Sequence, residues 1–345
     1  MVNGDLCHEI ILSKLQPKLG YDENRDFNEW KKELKEKFIS LTGIDEIEKN
    51  VCDPEMKIVF AEDKGDYTLT RYEFYSEVGE VVPCYLLIPK TGKKKYPVAI
   101  TLQGHVSGFH NSIGVAKYEG DEDGLERRSM ALQAVKNGYI ALAIEQRGLG
   151  ERKPTKENRF PKTNCRFASF VAISLGRTLI GERVWDVSRA IDTLKNFPEC
   201  DTDKVFITGQ SGGGTIAYYS ACYAERITLC VPSCSFCPYK SSVLDMMHCE
   251  CNQLPRAINY FEMQDLSALI VPRKLTIISG EKDDIFPIEG VKKGYETVEK
   301  IYKNRGAGKN CELVTTPKNH WWCTDIVWDA VNKATSELGW MKEEK

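Results

Sequence analysis

No run of apolar residues approaches the roughly 20 needed to cross a bilayer. The opening stretch, Met1-Val-Asn-Gly-Asp-Leu-Cys-His8, lacks the basic-then-apolar order of a secretion signal. A cytoplasmic protein with no membrane partner is therefore expected. An excess of charge of one sign is missing too. Lys and Arg number 47 against 50 Asp and Glu, a formal net charge of -3, with the two signs interspersed. That argues against the broad basic face with which proteins bind nucleic acid. The short run Lys93-Lys-Lys95 reads as a solvated loop. Internal repeats and low-complexity tracts are absent. Histidine is scarce, five in 345 residues, so a reading that needs an imidazole has few positions to choose from.

Cysteine, by contrast, is plentiful. The count is 13, odd, in a chain without a secretion signal. Reduced thiols are expected rather than a disulfide framework. Cys234-Ser-Phe-Cys237 is a lone C-x-x-C, and His248 and Cys249-Glu-Cys251 follow closely. Zinc would want further Cys or His at ligand spacing. These cysteines therefore read as free thiols in apolar packing, and neither a metal nor an organic cofactor is expected. The 42% hydrophobic and 28% charged composition is that of a globule with ample core.

The N-terminal part is helical in pattern. Trp30, Leu34, Phe38 and Leu41 recur at helix spacing across residues 24–41, with Lys and Glu between them. Residues 1–60 are assigned to a helical extension packed on the main domain, and 61–345 to the catalytic domain. Tyr67-Thr-Leu-Thr-Arg-Tyr-Glu-Phe-Tyr75 alternates as a half-exposed strand does, and residues 81–88 read as its partner. Pro83 predicts an edge or a bulge there. Short apolar runs then follow at 97–102, 139–144, 205–208, 229–231, 275–278 and 313–315. Helical patterns separate them at 130–137, 184–194, 216–224, 291–301 and 326–338. Buried strands alternating with helices predict an α/β fold, a mostly parallel central sheet covered on both faces. The connections 151–179 and 238–266 exceed what a crossover needs, and are expected to carry substrate contacts over the active face.

The chemistry centres on Val205-Phe-Ile-Thr-Gly-Gln-Ser-Gly-Gly-Gly214, where a strand pattern breaks into glycines around a serine. Gly209-Gln-Ser-Gly-Gly213 matches the G-x-S-x-G elbow, in which the bend presents the serine and the following helix aims its amides at developing negative charge. Ser211 is then the nucleophile and the Gly212 amide an oxyanion donor. A hydroxyl needs a base, and after such an elbow the acid and then the base follow in the chain. Of the two histidines beyond Ser211, His248 precedes the next strand, whereas His320 follows the last one in Pro317-Lys-Asn-His-Trp-Trp322. His320 is the expected base. Ile278-Ser-Gly-Glu-Lys-Asp-Asp-Ile-Phe-Pro287 offers Glu281, Asp283 and Asp284 as the acid; its G-x-x-D-x-x-x-P arrangement favours Asp283, with Asp284 the runner-up. The second oxyanion amide is expected in Leu102-Gln-Gly-His-Val-Ser-Gly108, at His105. Gln103, Arg147 and Trp321 are carried as substrate contacts, although Arg147 fits at least as well in an ion pair with Glu145 or Asp186.

Together these residues resemble the α/β-hydrolase superfamily, in its acetyl xylan esterase and dienelactone-hydrolase-like branch. Leu102-Gln-Gly-His105 resembles that branch's His-Gly oxyanion loop, with Gln103 in place of the first histidine. Gly176-Arg-Thr-Leu-Ile-Gly-Glu-Arg-Val-Trp-Asp186 and Gly280-Glu-Lys-Asp-Asp-Ile-Phe-Pro287 resemble its pre-elbow helix and its acid-bearing turn. The resemblance covers the chain from about Trp30 onward. It implies an esterase or deacetylase with Ser211, Asp283 and His320 as its triad, acting on a small-molecule ester such as an acetylated sugar. A serine in place of cysteine argues against true dienelactone hydrolase activity. Two other functions stay open: a peptidase related to the prolyl oligopeptidases, and a non-catalytic binding protein on the same fold. So does assembly into a homo-oligomer.

Overall fold

Every apolar run named above becomes a strand in the computed structural model, which describes residues 3–155 and 164–340. The strands are β1 (Lys57–Asp63), β2 (Tyr67–Glu77), β3 (Glu80–Pro89), β4 (Tyr96–Leu102), β5 (Ile140–Ile144), β6 (Cys200–Gln210), β7 (Ile227–Ser233), β8 (Lys274–Gly280) and β9 (Cys311–Thr316). They form one sheet in the order β1-β2-β3-β5-β4-β6-β7-β8-β9. The first three strands and the β3–β5 junction are antiparallel, and the pairs from β5 through β4 to β9 are parallel. All residues of β4, β5 and β8 are buried, as a strand covered on both faces requires.

The helices are α1 (Leu6–Lys14), α2 (Phe27–Thr42), α3 (Ile44–Glu48), α4 (Leu125–Arg128), α5 (Met130–Lys136), α6 (Asn164–Ser174), α7 (Leu179–Thr193), α8 (Gly212–Tyr223), α9 (Ile288–Asn304) and α10 (Thr324–Glu337). One large core includes residues of α2, α7, α8 and α9, and a second includes residues of α5 and α10. The predicted helices at 130–137, 184–194, 216–224, 291–301 and 326–338 correspond to α5, α7, α8, α9 and α10.

Two sequence readings change. Strand β1 carries no burial pattern, since all its residues are exposed, and so leaves no alternation to detect. It crosses the boundary drawn at residue 60, so the sheet begins inside the segment assigned to the extension. Pro83 does not mark an edge strand, because β3 lies between β2 and β5. Its carbonyl accepts from the Glu145 amide at 3.1 Å, so its nitrogen also faces the β5 side. The β5 ladder starts one step on, at Cys84–Ile144, and the Glu145 carbonyl, which a proline cannot serve, accepts from the Arg152 guanidinium at 2.9 Å.

Helix α2 shows why the N-terminal segment docks. The Asp26 side chain accepts from the Glu29 amide and caps its start; Gly43, at φ 73°, ends it. Trp30, Leu34 and Phe38 face inward at i, i+4, i+8 and join the larger core. The Trp30 indole donates to the Leu19 carbonyl at 2.9 Å, and Phe38 stacks on Tyr219 of α8 at 5.8 Å. Because Phe38 is fully buried, Phe38→Ala is expected to cost about 3–5 kcal/mol in urea denaturation. Glu36→Ala, on the exposed face, should stay within about 0.5 kcal/mol. Equal, small effects would show that the segment does not share the core.

Candidate active site

Strand β6 ends at Gln210 and α8 starts at Gly212, so Ser211 alone makes the turn. Its φ of 56° lies where non-glycine residues are strained. The turn is held by the Ser211 amide donating to the Ser233 carbonyl at 2.9 Å and the Thr215 amide donating to Ser211 at 2.8 Å. Glycine is required by close approach. A Cβ at Gly209 would sit 2.5 Å from the Leu102 carbonyl oxygen, and one at Gly213 would collide with the Leu102 and Gln103 backbone. The elbow can form only because both positions let α8 and β4 touch.

Asp283 follows β8 and His320 follows β9. His320 Nδ1 lies 2.9 Å from Asp283 Oδ2. Asp283 Oδ1 accepts from the amides of Ile285 at 2.9 Å and Phe286 at 3.1 Å. The Phe286 ring stacks on the imidazole at 5.8 Å. Burial alone pushes the Asp283 carboxyl up, but the His320 hydrogen bond and charge, with the two amides, outweigh it and hold the group below its usual value. Asp284 makes no such contact among the described residues, and Glu281 instead accepts from Thr315. Of the two aspartates weighed, Asp283 is the one that the fold brings against His320.

Ser211, His320, His105 and Gln103 border one cavity of about 410 Å³. Among the described residues no hydrogen bond joins Ser211 Oγ to His320. Catalytic hydrogen bonds are often long until substrate is bound. The Gly212 amide opens α8 and has no intrahelical acceptor. Across the cavity stand Arg127, His248, Asn252 and Met246. His248 passed unused in the sequence because it lies before β8. Its Nδ1 meets Asn252 Nδ2 at 3.1 Å. Burial, then the neighbouring His105 and His320, push its pKa down.

Two of the three expected substrate contacts are displaced. Arg147 is buried and points away, binding Asp186 through two bonds of 3.0 and 2.9 Å and Glu77 at 2.8 Å. Desolvating an arginine demands such partners, and Arg152 adds a third bond to Asp186 at 2.7 Å. Of the two alternatives weighed for Arg147, Asp186 is the partner. Trp321 lies outside the cavity wall, with the Arg127 guanidinium over its ring at 3.9 Å. Gln103 does border the cavity, but its amide is committed elsewhere: Nε2 donates to Glu145 at 2.8 Å.

Glu145 is the residue that sequence reasoning missed. It directly follows β5, fully buried, and ties both ends of the segment from Gln103 to Phe109. Besides Gln103 it accepts from the amides of Phe109 and Glu151, each at 3.2 Å. Beyond it, Ser107 and His110 converge on buried Asp121, His110 Nε2 at 2.8 Å from Oδ2. The loop bearing His105 is therefore tied from beneath by two buried carboxylates.

A model of the Abhydrolase family matches residues 4–218. A Bacillus subtilis (strain 168) protein assigned as a hydrolase, YtaP, is 26% identical over 256 residues, covering 73% of this chain and 82% of its own. Among solved structures, a protein assigned as an acetyl xylan esterase from Bacteroides fragilis NCTC 9343 is similar with a TM-score of 0.79 and 18% identity. It covers 96% of this chain and 95% of its own. A glucuronoyl esterase from Solibacter usitatus gives a TM-score of 0.64 and 15% identity, over 94% and 98%. These two likenesses establish the α/β-hydrolase fold.

Glu145 supplies a pH test of the loop anchor. Burial, against the amides of Glu151 and Phe109, pushes its carboxyl up from 4.5 to about 7. Across that window the folded chain holds a proton that the unfolded chain has released, so the stability this group confers falls as pH rises. Glu145→Gln cannot titrate. Its stability deficit relative to wild type should shrink between pH 4.5 and 7 in urea denaturation. A deficit that stays level or widens with pH would contradict the assignment.

Proposed function

The chain belongs to the Abhydrolase family, and from that membership we propose a serine carboxylesterase. The favoured form is an acetyl esterase acting on acetylated carbohydrate or similar small esters. The observation that carries the reading is the His320–Asp283 bond of 2.9 Å on the same cavity as Ser211, which sits in the strained turn. In the proposed reaction Ser211 Oγ attacks the ester carbonyl. His320 Nε2 takes its proton while Nδ1–H donates to Asp283, which keeps the ring oriented and stabilises the imidazolium. The amides of Gly212 and His105 face the tetrahedral oxyanion; neither has an acceptor among the described residues, and removing one such donor typically costs about 100-fold or more in rate. His320 returns the proton to the leaving alcohol, and water activated by the same imidazole releases the acid.

The cavity supports a small substrate with a polar alcohol, since about 410 Å³ is bordered by Arg127, Asn252 and His248 as well as methionines. The similar structures named as acetyl xylan and glucuronoyl esterases put carbohydrate esters first among candidates.

A fluorophosphonate probe should label the wild type and not Ser211→Ala. Equal labelling of the two would sink the serine-hydrolase reading and favour a binding protein. Asp283→Asn should lower kcat on p-nitrophenyl acetate by about 10⁴, with the fold kept by circular dichroism. Turnover of peptide p-nitroanilides in preference to short esters would overturn the esterase form and favour the peptidase.

A further inference from the structure

We infer that His105, Cys165, Cys249 and Cys251 form a site for one thiophilic divalent cation, zinc by its chemistry, beside the proposed active site. Their ligand atoms all lie within 4.8 Å of one another. His105 Nε2 and Cys249 Sγ each stand 3.1 Å from Cys251 Sγ. Tetrahedral bonds of about 2.3 Å to sulfur set sulfurs roughly 3.8 Å apart, so small side-chain shifts suffice. Three thiols and an imidazole select a soft or borderline ion over magnesium or calcium. Four protein ligands leave no open position, so the role is structural.

The surroundings point the same way. Arg183 is buried, 2% exposed, and pairs with no carboxylate among the described residues. Its Nη2 lies 3.5 Å from Cys165 Sγ, and it otherwise donates to the Arg147 carbonyl. A buried guanidinium needs a counter-ion. Three thiolates around a divalent cation carry one net negative charge and supply it. Binding releases the three thiol protons to solvent and changes no oxidation state.

The ligands come from three distant places: the loop after β4, the start of α6, and the connection 238–266. Spacing could not reveal the set. The C-x-x-C that drew attention in the sequence is elsewhere, with Cys234 Sγ donating to the Trp321 carbonyl at 3.6 Å and Cys237 Sγ to that of Pro287 at 4.0 Å. The other cluster, Cys234, Asp283 and His320, contains two members of the proposed triad and is not a metal candidate.

Elemental analysis of protein purified without chelator should find zinc at about one ion per chain. Reduced apo-protein titrated anaerobically with Co²⁺ should develop tetrahedral d–d bands and thiolate-to-cobalt charge transfer, saturating at one equivalent. Cys165→Ser and Cys251→Ser should each lose tight binding, while Cys200→Ser, outside the cluster, keeps it. Absence of the charge-transfer band in wild type, or its full retention in Cys165→Ser, overturns the site, as does a Cys249–Cys251 disulfide in protein prepared under argon. If the serine variants fail to fold, the wild-type cobalt spectrum decides alone. Fluorophosphonate labelling of Ser211 in the same samples reads the proposed reaction separately.

Discussion

The active face depends on one close approach, that of the β6–α8 turn to the end of β4. Gly209 and Gly213 meet the Leu102 and Gln103 carbonyls at distances no Cβ tolerates. This contact does two things together. It holds the turn in which Ser211 takes its positive φ, and it brings the start of α8 beside the loop after β4. A strained serine persists only where its surroundings over-determine it. Here they do, through the Ser233 carbonyl, the first turn of α8 and a parallel ladder on each side of β6.

The loop facing that serine has only one short 3-10 turn, Phe109–Ile113, and the rest of its shape comes from hydrogen bonds to buried carboxyl groups. Two carboxylates divide the task. Asp121 collects Ser107, His110 and the amides of Lys117 and Tyr118, and these bonds outweigh the effect of burial and hold it well below the usual carboxylate range. Glu145 faces mostly neutral donors, and burial wins there instead. A neighbouring network is balanced differently again. Burial raises Asp186, but Arg147 and Arg152 bring it down to about 2. The Trp-Asp stretch that carried the family resemblance therefore serves as scaffold, tying α7 to the end of β5.

Most of the fold was legible because it rests on local pattern. Each buried strand of the parallel sheet was a short apolar run, and the helices from α5 onward, apart from α6, carried their spacing openly. The tight turn at Ser211 and the meeting of Asp283 with His320 were legible for a related reason, since chain order and short motifs place them at successive strand ends. What escaped was set by tertiary context. Strand β1 owes its existence to pairing with β2 and buries nothing. Pro83 looked like an edge residue because its missing donor says nothing about where a partner strand stops. Arg147 beside a strand end looked equally fit for substrate or carboxylate until the fold placed Asp186 against it. Glu145, reading as one acid among many, became the anchor of the loop after β4 only through contacts 36 and 42 residues away.

Much of the cavity wall comes from a stretch without regular structure. The connection 238–266 lacks α-helix and strand, and forms only short 3-10 turns. Its later half is well held, since Glu262 and Asp265 cap each other reciprocally and the Tyr218 hydroxyl donates to the Met263 carbonyl at 2.9 Å. Its earlier half supplies Met246, Met247, His248, Cys249 and Asn252 to the cavity wall. Fixing irregular backbone costs on the order of 1–2 kcal/mol per residue in conformational entropy, and ladder hydrogen bonds are not there to offset it. Side-chain cross-links must do so. At that point of the wall they include His248 with Asn252, Glu250 with Arg166 of α6, and the contacts of Cys249 and Cys251 with each other and with His105. The same thiols that steady the connection also reach His105 in the loop after β4, so two stretches of the cavity wall are joined through a single side-chain cluster.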